Sequence, residues 1–89
     1  MSSLIIPRVN MNGNTKCDLV EQLQAAHEAL GKAIDALQVC EFSNGRNFQT
    51  LPNGGDVARQ AREQHGEWLQ SLHVIKLNTM ELAYELSNQ

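Results

Sequence analysis

Two long runs of apolar residues at alternating spacings of four and three, broken once by a glycine-rich stretch, narrow this chain to a pair of antiparallel helices. Leu19, Leu23, Ala26, Leu30, Ala33 and Leu37 trace the first stripe, which Val20, Ile34 and Cys40 widen. Ala61, His65, Trp68, Leu72, Ile75, Thr79, Leu82 and Leu86 trace the second. Such spacing collects its members on one face of a helix. Thr15-Lys16-Cys17-Asp18 has the form of a capping box with Asp in place of Glu, and its acid suits the positive end of a helix. Helix 1 is therefore expected over 15–42 and helix 2 over 56–87, with Asp56 as the N-cap. The loop between them spans 43–55, and residues 1–14 form an apolar, proline-broken arm around Leu4-Ile5-Ile6-Pro7.

The fold class expected is all-α: a single domain over 1–89, an antiparallel two-helix hairpin with an extended N-terminal arm, assembled as a homo-oligomer. Aromatic residues make up only 4% of the chain, so the core must come from Leu, Ile, Val and Ala, which favours helix-on-helix packing. Self-association follows from surplus. A hairpin buries one face of each helix, yet Leu69, Val74, Leu77, Met80, Ala83 and Tyr84 make more than one face of helix 2 apolar. Gly31, inside an alanine-rich helix 1, costs about 1 kcal/mol against Ala and points to a close neighbour there.

The break itself asks for a reason. The run from Asn44 to Asp56 is 13 residues long and carries four amide side chains, three glycines, Arg46 and Phe48, whereas a connector between antiparallel helices usually needs about 2–8 residues. Arg59 and Arg62 fall in the first turns of helix 2, where a cation opposes the macrodipole unless an anion is near. With the free N–H groups of that helix and the flexible Gly54-Gly55, they form an expected anion or phosphate cradle. Phe48 can stack a base, while Asn44, Asn47 and Gln49 can read hydrogen-bonding edges. The competing reading pairs the arginines with Glu41, Asp56 and Glu63, and uses Phe48 to plug the end of the hairpin core.

Other chemistry finds little support. His27 and His65 can face each other across the hairpin, but two histidines without a nearby Cys or acid do not make a zinc site. His65, on the stripe, reads first as a core histidine bonded to a neighbour. Cys17 and Cys40 have no adjacent His and lie about 34 Å apart along a helix, too far for one disulfide. The acidic pairs Glu63/Glu67 and Glu81/Glu85 sit at solvent-facing spacing. No catalytic residue, metal or cofactor is expected, and the chain reads as non-enzymatic. Seven dispersed basic residues against ten acids, a net charge of −3, exclude a duplex-binding face. No apolar run approaches the roughly 18–20 residues of a membrane span, and Leu4-Ile5-Ile6 is too short for a signal peptide, so a cytoplasmic protein is expected.

The arm Ile-Pro-Arg-Val-Asn-Met-Asn-Gly-Asn-Thr and the loop Asn-Gly-Arg-Asn-Phe resemble a group of small helical proteins of phages and prophages. Those carry an arm like IPRVHLNGTS, an alanine-rich helix, a loop like HGRDYY and a closing helix with an early histidine. Ile6, Pro7, Arg8, Val9, Asn12, Gly13, Thr15, Gly45, Arg46 and His65 occupy the matching positions. Asn47 replaces the aspartate and Phe48 the first tyrosine, so a role needing that carboxylate or hydroxyl does not carry over. The resemblance implies a phage setting, hence a host-cell cytoplasm. There, small non-enzymatic proteins often act against host defences, some as oligomeric sponges that hold a nucleotide immune signal between subunits. On that reading the ligand-binding set is Arg8, Asn44, Arg46, Asn47, Phe48, Arg59, Arg62 and His65. The partners are a second copy of the chain and a nucleotide-like molecule. The alternative is a protein-interaction module or inhibitor docking on a host defence complex.

Overall fold

In the computed structural model, which describes residues 4–10 and 13–89, helix α1 runs Lys16–Gln38 and helix α2 runs Gly54–Ser87. A four-residue 3₁₀ turn, Gly45–Phe48, lies between them. Among the described residues there is no strand, and the two helices pack antiparallel. Asn12, one of the positions carrying the resemblance, lies outside the described residues.

α1 starts where the capping box places it: Thr15 Oγ1 accepts the Asp18 N–H at 3.1 Å, filling one of the donors a helix start leaves open. It ends earlier than the expected 40–42. The Cys40 N–H reaches only to the Leu37 carbonyl, at 3.2 Å, and the Cys40 thiol donates to the Ala36 carbonyl at 3.4 Å. That tight closure ends the helix while the apolar pattern runs on through Val39, which is left 76% exposed. α2 begins two residues before the expected Asp56. Asn53 stands at its N-cap without a side-chain bond, and its carbonyl accepts the Val57 N–H at 2.9 Å.

The early start depends on Gly54. A Cβ built there would collide with the Phe48 backbone carbonyl, so only glycine lets the first turn of α2 rest on the 3₁₀ turn. Gly54→Ala is expected to cost about 1–3 kcal/mol of stability in urea or thermal unfolding, as overpacking does. Gly55→Ala, with nothing within 4 Å of its Cβ, is expected to be neutral or mildly stabilising.

The seam corrects the expected stripe. Ala26 and Ala33 are exposed; His27 and Ile34 take their places, and Ile34 is buried. On α2, Trp68 and Ile75 stand 46% and 48% exposed, while Leu69 and Lys76 turn inward. A 4-3 pattern admits two adjacent phases, and polar bonds select this one. His27 does not meet His65. Its Nδ1–H donates to the Lys76 carbonyl at 3.0 Å, while the His65 Nε2–H donates to the Leu37 carbonyl at 2.7 Å. Ten residues up α1, from His27 to Leu37, correspond to eleven down α2, from Lys76 to His65, so both ties keep one antiparallel register. Gly31 meets Lys76, whose ammonium would lie 3.4 Å from an added Cβ.

The arm is tied to the other end of the hairpin. The Val9 N–H donates to Gln89 Oε1 at 3.0 Å, and Gln89 Nε2 donates to the Pro7 carbonyl at 2.8 Å. Lys16 closes the same end by donating to the Ser87 and Gln89 carbonyls at 3.2 and 2.8 Å. The result is a rod of 62 × 24 × 18 Å with a radius of gyration of 18.8 Å, against about 12 Å for a compact domain of this length. Of the described apolar side chains only Ile34, Ala58, Ala83 and Leu86 are buried. No helix among the described residues is long and apolar enough to cross a membrane.

Candidate functional site

The loop end of the hairpin gathers most of the expected site residues, and local hydrogen bonding decides which of them are free. Asn44 caps the 3₁₀ turn, its Oδ1 accepting the Arg46 N–H at 3.0 Å. Asn47 Nδ2 donates to the Glu41 carbonyl at 2.8 Å, so that amide holds the loop to the end of α1. Phe48 is half-buried, with its carbonyl beneath Gly54. Arg59 pairs with Glu63 at 2.9 Å, one helical turn on, the pairing that the competing reading anticipates. At more than half exposure on both partners this bond is worth only about 0.3–0.5 kcal/mol.

Arg46 and Arg62 differ from Arg59. Both are exposed, and neither guanidinium has a hydrogen-bond or ion-pair partner among the described residues. Arg62 stands between two open grooves. One, of about 410 Å³, is walled by Gly45, Gln49, Leu51 and the Gly54-Gly55 start of α2. The other, of about 470 Å³, runs past Cys40, Ser43, Asn44, His65 and Gly66 to Leu69. Gly66 is a residue the sequence reading passes over. It sits inside a helix, where glycine costs about 1 kcal/mol, with no atom within 4 Å of its missing Cβ. Its backbone is thus a bare wall in the groove beside Arg62.

His65 is held rather than free. A carbonyl can only accept, so Nε2 carries the proton toward Leu37; Nδ1 then accepts from the Ser43 hydroxyl at 3.0 Å. Ser43 is 7% exposed, so this serine–histidine pair serves as a tie between the loop and both helices. Phe42 covers it, with ring centroids 4.8 Å from His65 and 5.5 Å from Trp68. Phe42, not Phe48, is therefore the aromatic packed against α2 beside the tie. Only the pairing of a loop residue with a helix residue 22 positions on reveals Ser43, and nothing local in the sequence marks it.

Arg8 is not part of this cluster. It lines a groove of about 710 Å³ with Ile6, Pro7, Val9, Lys16 and Gln89, at the opposite end of α2. A helix of 34 residues separates the two ends by about 50 Å. The arm does not fold back along the helices, so within one chain the two halves of the expected site stay apart. Among the described residues no group of three or more His, Cys, Asp or Glu is placed to hold a metal. No protein-family model, no curated protein and no solved structure matches this chain.

Proposed function

We propose that this chain is a small non-enzymatic protein of phage type that binds and sequesters a phosphate-bearing small molecule, a nucleotide immune signal in the host cytoplasm, where two subunits meet. The observation carrying this reading is the unpaired Arg62 between two grooves at the loop end, with Arg46 also unpaired and the bare backbone of Gly66 alongside. Two unneutralised guanidinium groups suit phosphate, and Arg offers it a bidentate fork. Phe48 is the available base platform.

A second subunit supplies the missing half of the site. The chain exposes 6831 Å², whereas a compact protein of this mass exposes about 5,200 Å². The excess of about 1,600 Å² equals two faces of ordinary interface size, at about 800 Å² each. One edge of the hairpin suits a second copy. Trp68 and Ile75 lie on it two turns apart with the small Ser71 between, and the α2 strip Gln64, Trp68, Ser71, Ile75, Asn78, Leu82 carries no charge. Helical spacing puts the exposed Ala26 and Ala33 of α1 on the same side. A two-fold axis midway between Trp68 and Ile75 sets Gly54 of one copy level with Gln89 of the other. Gln89 holds the arm, so each Arg8 comes to the partner's loop end.

Native mass spectrometry after incubation with a nucleotide extract tests this directly. The expected spectrum shows an oligomer retaining a phosphate-bearing molecule, lost in Arg46→Ala and in Arg62→Ala without change in subunit count. Gly66→Ala is the sharper variant: it should stabilise α2 by up to about 1 kcal/mol and still lose ligand, because its methyl fills the groove wall. Retention unchanged in all three variants, or release of a chemically altered ligand, overturns the reading.

A further inference from the structure

The other edge of the hairpin is built for a different occupant. Gly31 and Lys76 meet there, and this contact shows which residues share the edge. On α1, Glu28 precedes Gly31 by three residues and Glu21 lies two turns further back; both are exposed. On α2, His73 lies three residues before Lys76 and Met80 four after it. With Leu77 and Tyr84 they form a second 4-3-4 stripe pointing away from the seam. Leu77, Met80 and Tyr84 are 60%, 52% and 66% exposed. The antiparallel register sets Glu28 level with Ile75 and Glu21 level with Leu82, so these acids border the stripe on one side. Glu81 and Glu85, one turn apart on the outer surface of α2, border it on the other.

None of these four carboxylates has an ion-pair partner among the described residues. Lys76 is half-buried with its ammonium over Gly31, and Lys32, one turn beyond Glu28, is exposed without an ion pair to it. The face is thus a strip running from His73 through Leu77 and Met80 to Tyr84, about 16 Å long, the length of three helical turns, between two acidic rows. Tyrosine is among the residue types enriched at the energetic centres of interfaces, and methionine adapts to varied apolar partners.

The charge pattern selects among occupants. A second copy on this face would set the glutamate rows of both chains against each other, and like charges across an interface cost several kcal/mol. A nucleic acid or an anionic membrane is repelled by the same rows. We propose that this edge docks a cationic amphipathic helix of another protein, about three turns long, with an apolar stripe on the Leu77–Met80–Tyr84 strip and Lys or Arg on both shoulders. The site is separate from the ligand grooves at the loop end and does not depend on them.

The test uses two 14-residue helical peptides, one of leucine and lysine and one of leucine and glutamate, titrated calorimetrically into the intact oligomer. The Leu/Lys peptide is expected to bind and the Leu/Glu peptide to fail. Met80→Ala with Tyr84→Ala, both exposed and so compatible with the fold, should weaken binding by about tenfold or more. Glu21→Gln with Glu28→Gln should weaken it several-fold at low salt and lose that effect at high salt. Glu67→Gln, exposed on α2 toward the loop end and outside the strip, should leave it unchanged. Equal binding by the Met80/Tyr84 variant, or a loss in Glu67→Gln, overturns the proposal. A fall in subunit count caused by Met80→Ala with Tyr84→Ala overturns it too, because the strip would then belong to a second copy.

Discussion

Replacing Trp68 and Ile75 together by glutamate is expected to reduce the protein to a monomer and strip much of its helix with the same change. Both residues are about half exposed in the single chain, and the substitutions cost the hairpin itself mainly the contact of Trp68 with Phe42. Their larger cost falls on the proposed subunit contact, where the two-fold axis sets each glutamate opposite one from the partner. Two central apolar anchors worth about 2 kcal/mol each imply a rise in dissociation constant on the order of a thousandfold. Stability should follow, because only Ile34, Ala58, Ala83 and Leu86 are buried among the described apolar residues, and so small a core seldom holds a fold alone. Sedimentation equilibrium and circular dichroism over a concentration series read both effects. A double variant with the parent's subunit count and melting temperature would rule out this edge as the interface.

The second large effect is expected at His65. His65→Ala removes the bond to the Leu37 carbonyl, strands the buried Ser43 hydroxyl and takes away the ring under Phe42. An unsatisfied buried hydroxyl costs about 1–3 kcal/mol, and the aromatic contact adds about 0.5–1.5 kcal/mol. A loss near 3 kcal/mol is a large share of the total stability of a domain this size. His65→Gln should recover part of it, since the amide N–H can reach the carbonyl while its oxygen accepts from Ser43. Chemical denaturation of the three proteins separates the cases. If alanine and glutamine variants are equally destabilised, the tie is packing alone. If neither is destabilised, His65 is free for the ligand, and the groove beside Arg62 gains a histidine.

The split between His65 and Arg62 shows how the site was only partly legible. Both were expected from the same stretch of sequence, on the same helix and three residues apart. Their fates differ because His65 points into the seam, where two acceptors or donors await it, and Arg62 points out of it, where none does. Arg59 differs from both through Glu63, one turn away, a pairing readable from spacing alone. Asn44 and Asn47 looked like readers of ligand edges; each spends a polar atom of its amide on the loop's own backbone.

The sequence by itself determined two helices, their antiparallel packing across a single break, the Thr15 cap and the surplus of apolar surface on α2. Periodicity, capping chemistry and turn composition act over a few residues, and so they can be read locally. Tertiary structure decided the phase of the stripe. A 4-3 pattern leaves Ala26 or His27, and Trp68 or Leu69, equally eligible, and the choice fell to cross-helix bonds between residues tens of positions apart. That choice turned Trp68 and Ile75 outward, set Leu77, Met80 and Tyr84 on the opposite edge, and left Arg62 without an acid between two grooves. It also tied the arm to Gln89, so that Arg8 can meet the loop only through another subunit. The physical reason is common to all of these. A helix declares its apolar content along the chain, but which face is left over depends on what the other helix covers.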